Sequence, residues 1–264
     1  MNSQQINSIL GVLVADAAAL GLHWLYDLER MHQVVADDDS DDNPCFLTPN
    51  PDHYEGQVGY FAHAGKFTGE QSHYGESYLL NLRHLAKQGS FNTQLFQQEF
   101  IVTFGPGGSY IGYIDSPTRQ SLQNLQELDS DNESKMEHSG ADDHQVPALT
   151  PVSALCASYP LGELSDAEIE SAIRVTNNNE LAVNCGLYYS KVLHAVLDGN
   201  SIADSFASAA EHAPSELKEN INKALEMSAT DLDSAATLFG QVCGLEETMP
   251  LTAYILSNSS SYKQ

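Results

Sequence analysis

Several short segments in this chain combine acidic, hydroxyl and imidazole groups with glycines. The first is Gly11-Val-Leu-Val-Ala-Asp-Ala-Ala-Ala-Leu-Gly21, which carries Asp16 among small and apolar residues. A carboxylate with apolar neighbours along its own helix is at least half buried, and a buried charge needs a partner or a metal. Two roles fit Asp16: fastening backbone amides of a neighbouring turn, or serving a site. Leu22-His-Trp-Leu-Tyr-Asp27 follows directly. His23 and Asp27 there are candidate catalytic groups, or ordinary surface partners around the single tryptophan.

Four further segments carry ligand chemistry. In Gly69-Glu-Gln-Ser-His-Tyr-Gly-Glu-Ser77, Glu76 and Ser77 supply oxygens of the kind Mg²⁺ accepts. A helix opening there would favour anions. The run from Gly105 to Arg119 offers Gly112, Tyr113 and Asp115 to a nucleotide-like ligand. No Gly-Lys-Ser/Thr follows it, so it is not a P-loop, and without a preceding strand it does not match the dinucleotide fingerprint. Ser139-Gly-Ala-Asp-Asp-His144 adds Gly140, Asp142, Asp143 and His144, and Arg174-Val-Thr-Asn-Asn-Asn-Glu180 again precedes an expected helix. Helix N-termini converging on one cleft would make a preorganised anion or metal site.

The elements that must position these groups are helical. Apolar spacing predicts helices over 3–22, 76–87 and 92–104, with Asn92 as N-cap and Gly89 as a stop. Gly11, Ala15, Ala18 and Leu22 share one narrow face of the first, where another helix can approach. Ser116-Pro117 opens a helix to about 128. An apolar segment over 151–159 and a capping box at Ser165-Asp-Ala-Glu168 predict two more, the second running to about 175. Others fit 180–197, 202–211, 215–227 and 230–243. Residues 36–60 and 129–143 read as loops, and strand signals are nearly absent, apart from short stretches such as 56–61. The fold class is all-α, in one domain over 1–264.

Composition narrows the partners. Eleven basic residues against 36 acidic give a net charge of −25, which repels nucleic acid and anionic membranes. No apolar run reaches the roughly 20 residues of a membrane span, and no basic leader precedes an apolar core. Four separated cysteines read as free thiols in the cytoplasm.

In order and spacing, these segments resemble the ADP-ribosylglycohydrolase family, in the branch with the J-crystallins and selenoprotein J. The small-residue first helix, Gln71–Ser77, Gly112–Arg119, Ser139–His144 and Thr176–Asn179 carry the resemblance. It implies an orthogonal multi-helix bundle. It also implies hydrolysis of the glycosidic bond between ADP-ribose and an acceptor, with two Mg²⁺ ions in the cleft. The alternative is a non-catalytic, ADP-ribose-binding or crystallin-like relative. Active members usually carry Thr-Asp-Asp-Thr at the first metal motif, where this chain has Tyr74-Gly75-Glu76-Ser77. Glu76 replaces one aspartate, and Gly75 replaces nothing. His23 stands where such members have a glutamate, with Asp27 one turn on. The family's C-terminal, Asp-rich metal-binding helix is not found before Gln264; Asp231 and Asp233 fall too early to match it.

Overall fold

The computed structural model describes residues 1–38, 46–127, 138–228 and 232–261. Its helices are α1 (Ser3–Ala19), α2 (Leu28–Ala36), α3 (His73–Gln88), α4 (Thr93–Phe104), α5 (Ser116–Glu127) and α6 (Thr150–Ser158). They continue with α7 (Asp166–Ile173), α8 (Glu180–Leu197), α9 (Ile202–Ala209), α10 (Lys218–Glu226), α11 (Leu232–Phe239) and α12 (Leu245–Asn258). The class is all-α, as the periodicity predicts. Residues 56–61 form no strand; Gly59 makes a single antiparallel bridge to Leu25.

Local chemistry sets the helix ends. Asn92 accepts from the amide of Leu95, Ser165 and Glu168 form a capping box, and Gly89 closes α3 at φ +80°. Two helices lie outside the expected set. Asp27 caps α2, whose Leu28, Met31, Val34 and Val35 recur at helical spacing over only 9 residues. α12 carries Pro250 inside it, which interrupts the signal for a continuous helix. The helix expected over 230–243 is shorter; its first two residues lie outside the described residues.

α6 is the central element. Every residue from Pro151 to Ala157 is buried, as a helix apolar on all sides requires. It packs against α1, α3, α7 and α8. The main core joins α6 to α8 and to the C-terminal helices through Val152, Cys156, Ile173, Tyr188 and Leu245. A second core of Phe96, Phe100, Phe104, Leu122 and Leu125 binds α4 to α5.

α1 lies against this body by one face only, through Ile9, Val12 and Leu13. Ile6, Leu10 and Val14 stay exposed, and so does Ala15 on the narrow small-residue face. Apolar spacing alone could not separate these faces, because α1 is apolar nearly all round. Cys156, Cys185 and Cys243 are free thiols, and Cys45 lies outside the described residues. Among those residues no helix is long and apolar enough to cross a membrane.

Candidate functional site

A cavity of about 350 Å³ opens where the end of α1, the start of α3 and the entries to α6 and α12 meet. Asp16, His23, Trp24, Tyr74, Thr150 and Cys243 contribute to its walls. A second cavity of about 280 Å³ shares Asp16, Tyr74, Val146, Thr150 and Thr248 with it, so the two form one cleft.

The turn after α1 is strained. Trp24 sits at φ +64°, a left-handed conformation rare for a bulky residue. The surrounding backbone over-determines it: Tyr60 N donates to Trp24 O at 3.1 Å, and Tyr26 N donates to Val58 O at 3.0 Å. A Cβ on Gly59 would stand 2.1 Å from Trp24 O, so only glycine permits this approach. The result turns both His23 and Trp24 into the cleft wall. The indole N–H reaches Cys243 Sγ at 3.3 Å, and Tyr113 packs edge-on against the indole at 4.9 Å.

Asp16 is tied to the start of α3. Ser72 N donates to its Oδ2 at 2.7 Å, and Ser72 Oγ donates to its Oδ1 at 2.5 Å. Ser72 is itself the N-cap of α3. The carboxylate thus faces a helix N-terminus, where amides and dipole favour an acceptor. Burial pushes the Asp16 carboxyl above its usual range, and the Ser72 hydroxyl and amide work against that rise. Of the two roles open from sequence, fastening is the one this geometry fulfils. Gly75 makes the close approach possible: a Cβ there would lie 2.3 Å from Asp16 Oδ2 and 2.3 Å from Gln71 Oε1.

Beneath His23 lies a group of imidazoles. His23 Nδ1 is 2.6 Å from His63 Nε2, and the two rings stack at 4.9 Å. His73 Nε2 pairs with Asp115 Oδ2 at 3.3 Å, both side chains being almost fully buried. Burial, with His63 and His73 nearby, pushes His23 down to about 3. Burial and His73 likewise push His63 down to about 4. Burial would raise Asp115, but the His73 ring and the Thr118 amide and hydroxyl outweigh it and hold the carboxyl below its usual range.

The other expected residues are dispersed. Asp27 is exposed and caps α2 by accepting from Arg30 N at 2.8 Å. Glu76 lies 4.0 Å from Arg83, and the carbonyl of Ser77 accepts from Asn81 Nδ2. Gly112, at φ +152°, is confined by the Tyr110 hydroxyl, which would stand 2.7 Å from a Cβ. Tyr113 joins the aromatic wall, and Asp115 is sealed against His73. Gly140 lies where a Cβ would meet Arg174 O and Asn177 N at 2.6 Å. The 139–145 segment is thereby pinned to the 174–180 turn. Asn179 Nδ2 donates to Asp142 Oδ1 at 2.7 Å, Asn177 Nδ2 donates to Asp143 Oδ1 at 3.0 Å, and His144 pairs with Glu246 at 3.3 Å. Sequence reasoning missed His63, Ser72 and His73 as site residues. His73 stood inside a motif already singled out; His63 lies in an irregular loop where spacing gives no signal.

The ADP-ribosylglycohydrolase model matches residues 3–264. The chain belongs to this family. It is 26% identical over 267 residues to Crystallin J1A of Tripedalia cystophora, covering 97% of this chain and 77% of that protein. Crystallin J1B of the same organism is 26% identical over 232 residues, covering 82% of this chain and 66% of that protein. No solved structure matches the chain at a significant level.

The family resemblance implies Mg²⁺ at the start of α3, and the donor set can be compared with that need. Both oxygens of Asp16 already accept from Ser72. Glu76 faces Arg83, and Gly75 brings no side chain. Among the described residues, no group of three or more His, Cys, Asp or Glu side chains is placed to hold a metal ion. In this arrangement the residues do not fit a two-metal centre.

Proposed function

We propose that this family member binds an ADP-ribose-type ligand in the α1–α3 cleft without a two-magnesium hydrolytic centre. The contact between Asp16 and the start of α3 at Gly75 carries this reading. That contact occupies the carboxylate and leaves no space for a second acidic side chain at position 75. The cleft keeps features suited to a nucleotide sugar. Trp24, Tyr26 and Tyr74 offer aromatic faces for a base or a sugar ring. Thr150 and Thr248 place hydroxyls in the same space. A net charge of −25 supports a small-molecule partner over nucleic acid or membrane, and the free thiols support a cytoplasmic setting.

The test is thermal unfolding with ADP-ribose in a chelating buffer, paired with turnover of ADP-ribosylated arginine and serine in Mg²⁺. A hundredfold excess over Kd is expected to raise Tm by roughly 5–10 °C. Turnover is expected to stay at the uncatalysed level. Mg²⁺-dependent turnover that Glu76→Ala abolishes would overturn this reading. One observation favours a hydrolase as a second reading. His23 and His63, with His73 and Asp115 beside them, put more buried polar chemistry under the cleft than packing requires.

A further inference from the structure

The His23–His63 pair makes a chemical choice that bears on the cleft. We infer that His63 fixes His23 in one tautomer, with its proton on Nε2, and that this N–H is a ligand-binding donor for an acceptor oxygen of the nucleotide sugar. The ligand named here rests on the binding reading above; the tautomer does not.

Both rings are neutral near pH 7, since burial and the neighbouring imidazoles push them down to about 3 and about 4. Each then carries one proton, and a single proton lies between His23 Nδ1 and His63 Nε2, 2.6 Å apart. There are two arrangements. If His23 Nδ1 donates, the proton of His63 must sit on its own Nδ1. That atom is buried and has no partner, so this arrangement leaves an orphaned N–H. Orphaned buried donors are rarer than under-used acceptors. If His63 Nε2 donates instead, only a lone pair is left unused. The second arrangement leaves His23 with its proton on Nε2, because the hydrogen bond at one ring nitrogen sets the state of the other.

His23 lines the cleft, and its Nε2 is absent from the sealed, unpartnered atoms. The donor therefore opens to the cavity. Trp24, His63 and Tyr74 pack around the ring, with His73 and Asp115 close enough to act on its charge. A neutral imidazole donor keeps its proton across physiological pH, so it binds oxygen without gaining charge. Thr150 lines the same cavity with a hydroxyl that can accept. A donor and an acceptor in one small space suit a ligand that carries both hydroxyl and acceptor oxygens.

The experiment is long-range ¹H–¹⁵N imidazole spectroscopy of the full chain at pH 7 without ligand, with His23→Phe assigning the signals. His23 is expected to show a protonated Nε2 and an unprotonated Nδ1. His63→Gln, whose amide can still donate, is expected to keep that pattern and to change the ADP-ribose Kd less than threefold. His63→Glu, once ionised, can only accept, so against a neutral ring it is expected to move the His23 proton to Nδ1 and to weaken ADP-ribose at least tenfold. Backbone amide spectra of both variants report whether the fold persists. An Nδ1–H or doubly protonated His23 in the wild-type chain would overturn the inference. So would unchanged ADP-ribose affinity in a folded His63→Glu variant whose His23 spectrum shows Nε2 without its proton. Failure of the wild-type chain to bind ADP-ribose would instead remove the binding reading and leave the tautomer result standing.

Discussion

At the scale of single residues, Gly75 and the two stacked histidines carry most of the account. Gly75→Ala puts a Cβ 2.3 Å from a carboxylate oxygen and from the Gln71 side-chain oxygen, so α1 and α3 must shift apart. Denaturant unfolding is expected to show a loss of about 1–3 kcal/mol. Unchanged stability would mean that the contact is not tight. The histidines add a pH dependence. The unfolded rings titrate near 6.5, the folded ones near 3 and 4, so the unfolded chain binds more protons between these values. The stability from His23 and His63 is full above 6.5 and is lost as pH falls toward 4. Asp16 works in the opposite sense, because its raised carboxyl favours the protonated fold at low pH. Two histidines act against one carboxyl, so Tm is expected to drop by about 4 °C or more from pH 7.5 to 4.5. His63→Gln is expected to flatten that slope; an equal slope in the variant would contradict it. Asp16 was legible in the sequence as a stranded carboxylate in an apolar helix. Its partner was not, because Ser72 lies 56 residues away and no local pattern joins them.

At the scale of elements, turn and cap chemistry was more legible than the packing between helices. Asn92, Ser165 and Gly89 declare helix ends by their own side chains or lack of one, and the structure places them there. α2 keeps a helical period over only 9 residues, too short a window to stand out, and an internal proline weakens the period of α12. The exposed row of Ile6, Leu10 and Val14 was illegible for another reason: hydrophobicity says that a residue can be buried, not which neighbour covers it. The start of α8 shows how one residue links two elements. Asn179 caps the helix by accepting from Leu181 N and Ala182 N, and its amide holds Asp142. Asn179→Ala is expected to cost about 1–2 kcal/mol in chemical unfolding. Asn179→Asp keeps the cap but sets a second carboxylate against Asp142, so the 139–145 segment should loosen. Equal stability of the alanine variant and the wild-type chain would show that neither bond matters.

At the scale of the whole molecule, the fold keeps the family's helical frame while the residues at the start of α3 depart from its metal chemistry. That departure was legible as Tyr74-Gly75-Glu76-Ser77. How the space is filled was not, since it depends on α1 and α3 meeting at Asp16. On the proposed reading, ligand binding without metal donors depends on the cleft alone. Calorimetric titration of ADP-ribose into the full chain, in a chelating buffer and again in excess Mg²⁺, tests this most directly. Binding in both buffers, with Kd values within about twofold, is the expected result, together with no tight Mg²⁺ uptake. ADP-ribose binding only in Mg²⁺, alongside two tight Mg²⁺ sites, would contradict the account.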